Sequence, residues 1–213
     1  MKNEKHGDKC YKTLREEGHG VYEEKRSEFL GRAMHVENEQ EALDLIRRVR
    51  EEHHDARHHV YAYVLDGGRI QRYSDDGEPQ GTGGIPVLDV LRKSGIDDAC
   101  IVVTRYFGGI LLGAGGLVRA YTAAAKLAVE SAGTVTYERY AEFRILLSYS
   151  EYQKLLSKLP DFGAIADGTD FADTVTLRAA VRVGDAGRFA DAICELFGGR
   201  VFAERIGERY DKA

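Results

Sequence analysis

The sequence predicts an α+β protein of two domains, residues 1–137 and residues 138–213. Three observations carry that expectation. Period-two strand patterns alternate with 3.6-period helix patterns along the chain. The texture changes after Gly133, near Tyr137. Beyond that point the patterns fall in the order β-α-β-β-α-β. At 213 residues, 43% hydrophobic and 31% charged, the chain can fill two packed cores.

The first ten residues are polar and expected to be loose. "SEFLGRAMHV" (27–36) reads as a strand. Asn38 opens a helix, with Glu41 completing a capping box and Ala42, Leu45, Ile46 and Val49 on one face. "HHVYAYVLD" and "RIQRYSD" flank Gly67-Gly68 and read as a hairpin. "SDDGEPQGTGG" (74–84) is a loop by composition. Pro86 suits the first turn of a helix carrying Val87, Val90 and Leu91, which stops near Gly95. "ACIVVTRY" (99–106) is apolar enough to be a central strand. A helix then runs from about Gly116 to Ser131, with Leu117, Tyr121, Ala124 and Ala128 on one face and Gly133 as its stop.

In the second domain "AEFRILLSY" is a strand, and Ser150 with Gln153 suggests a capping box. The helix that follows carries Tyr152, Leu155, Leu156 and Leu159 and halts at Pro160. "GAIADGTDF" and "TVTLRAAVRV" are strands. Asp185 caps a helix with Phe189, Ile193, Leu196 and Phe197 inward, and "RVFAERIGER" closes the domain. The order is that of a ferredoxin-like sandwich, a topology that leaves function open.

The net charge is −5, and from Glu138 onward 11 basic side chains face 13 acidic ones. A nucleic-acid surface would therefore be a local patch. Cys10, Cys100 and Cys194 are scattered and read as reduced thiols. Neither a signal peptide nor a membrane span is visible, so a cytoplasmic protein with no membrane partner is expected.

"TRYFGGILLGAGGLVRAY" (104–121) concentrates Gly108, Gly109, Gly113, Gly115 and Gly116 between strand and helix. Backbone N–H groups at a helix start can bind an anion, whereas glycines can equally serve a tight turn. No Lys-Ser or Lys-Thr follows, so the segment is not a Walker loop. Arg119 reads as first-turn, an awkward place for a cation. A bound anion would explain it, and so would a salt bridge to the acidic loop. Asp75, Asp76 and Glu78 could hold Mg²⁺ or simply stabilise a helix start. His53, His54, His58 and His59 straddle a helix–strand junction, which breaks metal-ligand spacing. Tyr61, Tyr63, Tyr73, Tyr106 and Phe107 could stack bases or pack in the sheet. No nucleophile signature is present, and neither cofactor nor metal is expected.

"SDDGEP-GT-G-P" and "RYFGG--LG-GGL-RAY", with "HHVYAY" upstream, resemble the signature of the IMPACT family, in its bacterial, YigZ-like branch. The signature spans about His58 to Leu127, and Gly83 stands where the pattern expects Ala. The resemblance implies a two-layer α/β N-terminal domain of the ribosomal-protein S5 domain 2-like fold, similar to domain IV of elongation factor G. It implies a second domain similar to the ferredoxin-like domain V of that factor. Family members are thought to act around translation. The eukaryotic relative antagonises activation of a starvation-responsive kinase through a shared scaffold partner. No catalytic set comes with the resemblance.

The resulting expectation is a non-enzymatic regulator that binds RNA, the ribosome or a translation-related protein. Its surface would comprise Arg105, Tyr106, Phe107, the five glycines and Arg119, with Ser74, Asp75, Asp76, Glu78 and Thr82 as a second loop. Two alternatives remain open: a nucleotide- or phosphate-binding enzyme with Mg²⁺ on the acidic loop, and a pure protein-interaction module.

Overall fold

A computed structural model describes residues 10–213; residues 1–9, most of the segment expected to be loose, lie outside the described residues. The chain divides into two compact units, residues 11–136 and residues 137–213 together with Cys10. Both are α+β.

The first unit contains β1 (Tyr11–Leu14), β2 (Gly18–Glu24), β3 (Ser27–His35), α1 (Glu39–Glu52), β4 (His58–Leu65), β5 (Ile70–Ser74), α2 (Gly84–Ser94), β6 (Ala99–Tyr106) and α3 (Gly113–Ala132). Its sheet runs in the order β2-β3-β6-β4-β5. The apolar run of β6 is central, as its composition requires, and antiparallel to both neighbours. Ile101 and Val103 join a core with α2 and α3, while Cys100 and Val102 join a second core under α1. α2 and α3 cover one face of the sheet and α1 covers the opposite one, so helices lie on both faces where two layers were expected. Asn38 caps α1, accepting the Glu41 N–H at 3.0 Å, and Ala42, Leu45, Ile46 and Val49 are all buried. The reciprocal carboxylate arm reaches Glu37 instead: Glu41 Oε2 accepts its N–H at 2.7 Å.

Two expectations change here. Strands β1 and β2 were not visible in the sequence. The inward face of β2 begins with Gly18 and Gly20, so it shows no apolar alternation. Helix α3 starts at Gly113, three residues early, although Gly113, Ala114 and Gly115 are exposed and burial begins only at Gly116. Arg119 therefore lies in the second turn and not in the first.

Strand β7 (Thr134–Leu147) leads into the second unit, followed by α4 (Tyr149–Leu156), β8 (Ile165–Phe171), β9 (Val175–Arg182), α5 (Ala186–Leu196) and β10 (Ala203–Lys212). The βαββαβ order is the expected one. Its strands line up β10-β7-β9-β8, every neighbouring pair antiparallel. Phe143, Ile145, Leu155, Leu177, Phe189 and Ile193 fill its core. The capping box is Ser148 with Glu151, not Ser150 with Gln153. β7 ends at Leu147, which leaves Ser148 extended (φ −71°, ψ 165°) in the capping position and puts Ser150 inside the helix. Leu159 sits in a separate 3₁₀ turn that contains Pro160. Asp185 precedes α5 without a side-chain cap bond and pairs with Arg188 at 2.9 Å. No helix among the described residues is long and apolar enough to cross a membrane.

Candidate functional site

β5 and β6 both pair antiparallel with β4, so they run parallel to each other. The loops leaving them, 75–83 and 107–112, emerge at the same end of the sheet. Sheet topology therefore brings the two loops to one end, as a recognition surface would need. The acids of the first loop, however, are engaged within the protein, whereas most of the second loop is exposed.

Arg105 points toward α3, where Phe29 is its register partner on β3. Its Nη1 donates to Glu78 Oε1 at 2.7 Å, and the same oxygen accepts the Tyr121 hydroxyl at 2.8 Å. The guanidinium lies between the rings of Phe29 (5.4 Å) and Phe107 (5.5 Å). Arg105 is 7% exposed and Glu78 is 9% exposed. Desolvation, then the Glu78 charge, push the Tyr121 hydroxyl well above its usual value, so it stays a donor. Arg105 Nε and Thr104 Oγ1 carry no hydrogen-bond partner among the described residues. This cluster locks one loop to the other and is not open to a ligand. Tyr106 points the opposite way, as alternation on a strand demands. Its hydroxyl donates to Asp55 at 2.9 Å and lies 3.1 Å from His53 Nδ1. Arg105 and Tyr106 thus cannot share one stacking surface.

The remaining acids are also engaged. Asp75 caps α2 from a distance: Oδ1 accepts the N–H groups of Gly83 (2.9 Å) and Gly84 (2.8 Å), and Oδ2 that of Gly81 (2.8 Å). A carboxylate of the protein fills the anion position at that helix start. Asp76 Oδ2 accepts the His59 N–H at 2.7 Å, and Oδ1 pairs with Arg50 at 2.6 Å. His58 Nδ1 lies 2.8 Å from the Asp76 carbonyl oxygen. Burial pushes His59 below its usual value, which keeps it neutral. Ser74 Oγ accepts the Asp76 N–H at 3.1 Å, and the Thr82 hydroxyl donates to Pro79 O at 2.6 Å. Asp75, Asp76 and Glu78 thus serve different partners, and no group of three or more metal-ligating side chains forms among the described residues. Replacing Asp75 by alanine is expected to cost about 2 kcal/mol, since a cap and its charge are lost together. Urea unfolding would give the size, and faster hydrogen exchange at Gly83 and Gly84 would place it.

What faces outward is the middle of the glycine segment. Leu111 is 82% exposed, Phe107 49% and Ile110 42%. Gly108 explains the loop's path: a Cβ there would sit 2.0 Å from the backbone of Arg26, and its N–H donates to Ser27 Oγ at 3.1 Å. That approach sets Lys25 and Arg26, both exposed, beside the loop. The sequence reading missed these two cations, because Lys25 and Arg26 form a turn with positive φ (49° and 69°) without the glycine or asparagine that would mark one. Gly109 and Gly113 adopt φ of 84° and 70°, which side-chain-bearing residues resist. At the start of α3, Leu112 supplies no cap bond and the first turn holds no acid. Gly115 and Gly116 lie in that turn. The Arg119 guanidinium returns toward it, Nη1 coming within 3.8 Å of where a Gly115 Cβ would be. Its ionic partner is Glu24 on β2, at 3.6 Å, and not the acidic loop.

Residues 25–129 match the Impact N-terminal domain, and residues 145–200 match a domain of unknown function, DUF1949. The chain is 34% identical over 191 residues to the IMPACT family member YvyE of Bacillus subtilis (strain 168), covering 89% of this chain and 88% of that one. It belongs to the IMPACT family. The family member YigZ of Escherichia coli (strain K12) is 34% identical over 179 residues, 83% of this chain and 88% of that protein. A crystal structure titled as that of a hypothetical protein superposes with a TM-score of 0.59 at 30% identity, covering 93% of this chain and 98% of its own. In this IMPACT chain the acidic signature is spent on holding the domain together. The glycine signature divides into a buried anchor, Arg105, and an exposed loop.

Proposed function

We propose that this protein is a non-catalytic, translation-associated regulator that binds the ribosome through residues 107–112 and the start of α3. One observation carries the reading: Leu111, Phe107 and Ile110 stay exposed on a loop whose base is locked by the Arg105–Glu78 pair. Exposed apolar side chains on a rigid mount favour binding, because little is lost on ordering them. The uncapped start of α3, with Arg119 near it, suits a phosphate or carboxylate of the partner. The link to translation comes from the family resemblance.

Residues 11–136 hold 16 basic side chains against 20 acidic ones, which argues against broad affinity for RNA. Co-sedimentation with purified ribosomes is the test. Leu111→Glu should weaken association by about tenfold or more. Arg119→Glu should weaken it less and flatten its salt dependence. No ribosome association of the unaltered protein at low salt would overturn the reading. Association that ignores both substitutions would move the surface elsewhere.

A further inference from the structure

A second exposed feature lies between α2 and α3. β5 and β6 run parallel, and each feeds a helix that returns over the same sheet face. α2 and α3 are therefore parallel to each other, with a groove of about 300 Å³ between them. Ile85, Asp89 and Lys93 line it from α2 at four-residue steps, and Val118, Thr122 and Lys126 line it from α3 in the same way. Parallel helices set Ile85 beside Val118 at one end and Lys93 beside Lys126 at the other. The lined length is about 12 Å, two helical turns. Ile85 and Val118 remain 40% and 38% exposed.

The charge is uneven. Lys93 pairs with Asp89 at 3.4 Å, and Lys126 has no ionic partner among the described residues. One end of the groove is thus positive on an acidic domain. The walls are helices whose backbone groups are already bonded, so no free strand edge is on offer. A guest must satisfy its own backbone, which a helix does and an extended segment does not.

We propose that the groove holds one amphipathic helix of a partner protein, apolar toward Ile85 and Val118 and acidic where it passes Lys93 and Lys126. The inference rests on the reading that the protein works through partners, but it uses none of residues 107–112. The probe is a set of labelled helical peptides of roughly 16 residues with leucine at i, i+4 and i+7. Half of them carry glutamate at the C-terminal flank and half carry lysine. Fluorescence anisotropy on the full chain should show the acidic set binding.

Val118→Glu should weaken binding by about tenfold or more. The pair Lys93→Glu with Lys126→Glu should reverse the preference, so that the lysine set binds. This gain cannot come from misfolding. No binding by the acidic set, equal binding of both sets, or indifference to Val118→Glu would overturn the proposal. So would sedimentation showing that the unaltered chain self-associates and that Val118→Glu makes it monomeric, because a second copy would then fill the groove. Leu111→Glu should leave peptide binding intact. Ribosome association without peptide binding would remove this inference alone.

Discussion

Arg105→Met should destabilise the first domain by about 3–5 kcal/mol, although Arg105 belongs to the most recognisable motif of the chain. The substitution keeps most of the packing between Phe29 and Phe107 but removes the guanidinium. Glu78 is then left buried with only the Tyr121 hydroxyl as a donor. An unpaired buried carboxylate costs more than the original pair contributed, so most of the loss is the stranded charge. Adding Glu78→Gln should recover much of it, because the amide is neutral and still accepts from Tyr121. Tyr121→Phe alone should cost about 1 kcal/mol, an ordinary hydrogen bond. Urea unfolding of these three variants and of Glu78→Gln alone, followed by circular dichroism, gives the cycle. A loss below about 1 kcal/mol for Arg105→Met would mean that the pair is solvated and free to meet a ligand. The prediction bears on function: reduced ribosome binding by Arg105→Met would report a loosened loop and not a lost contact.

The legible parts of the fold are those in which side chains record burial. The apolar run of β6 marked it as central, and the spacing of Ala42, Leu45, Ile46 and Val49 marked the buried face of α1. The second domain was readable in its order of elements, because breakers and periodicity agree there, although its expected caps did not hold. β2 was invisible because its inward face begins with Gly18 and Gly20, which carry no hydrophobic signal. Two overlapping capping patterns around Ser148 and Ser150 could be separated only by knowing where β7 stops. The site was harder to read. Asp75 looks the same in sequence whether it faces solvent or caps α2 from afar. Alternation along β6 sends Arg105 and Tyr106 to opposite faces, so adjacent residues with suitable chemistry made a false pair. The loop geometry that places Lys25 and Arg26 beside residues 107–109 depends on Gly108 approaching the turn between β2 and β3, and periodicity does not encode that contact.

Gly31→Ala should cost about 3 kcal/mol, a large effect for one added methyl group. Gly31 and Gly20 are register partners on β3 and β2, and α3 lies across both. A Cβ at Gly31 would sit 2.5 Å from the Ala124 carbonyl oxygen, and one at Gly20 would sit 2.5 Å from the Ala128 nitrogen. These obstacles are helix backbone, which cannot rotate aside as a side chain can. The contact is close because α3 presents Ala120, Ala124, Ala125, Ala128 and Ala132, all fully buried, to the sheet. Relief requires lifting the whole helix, which opens gaps around Leu117 and Tyr121. A helix lifted for one methyl already has room for a second nearby, so Gly20→Ala with Gly31→Ala should cost less than the two single losses together. Full additivity would mean that each clash is relieved locally. A shared cost would identify α3 as a rigid body on the sheet. In that case lifting α3 also displaces Val118 and Lys126 relative to α2, and Gly31→Ala should weaken peptide capture in the groove while leaving every lining residue in place.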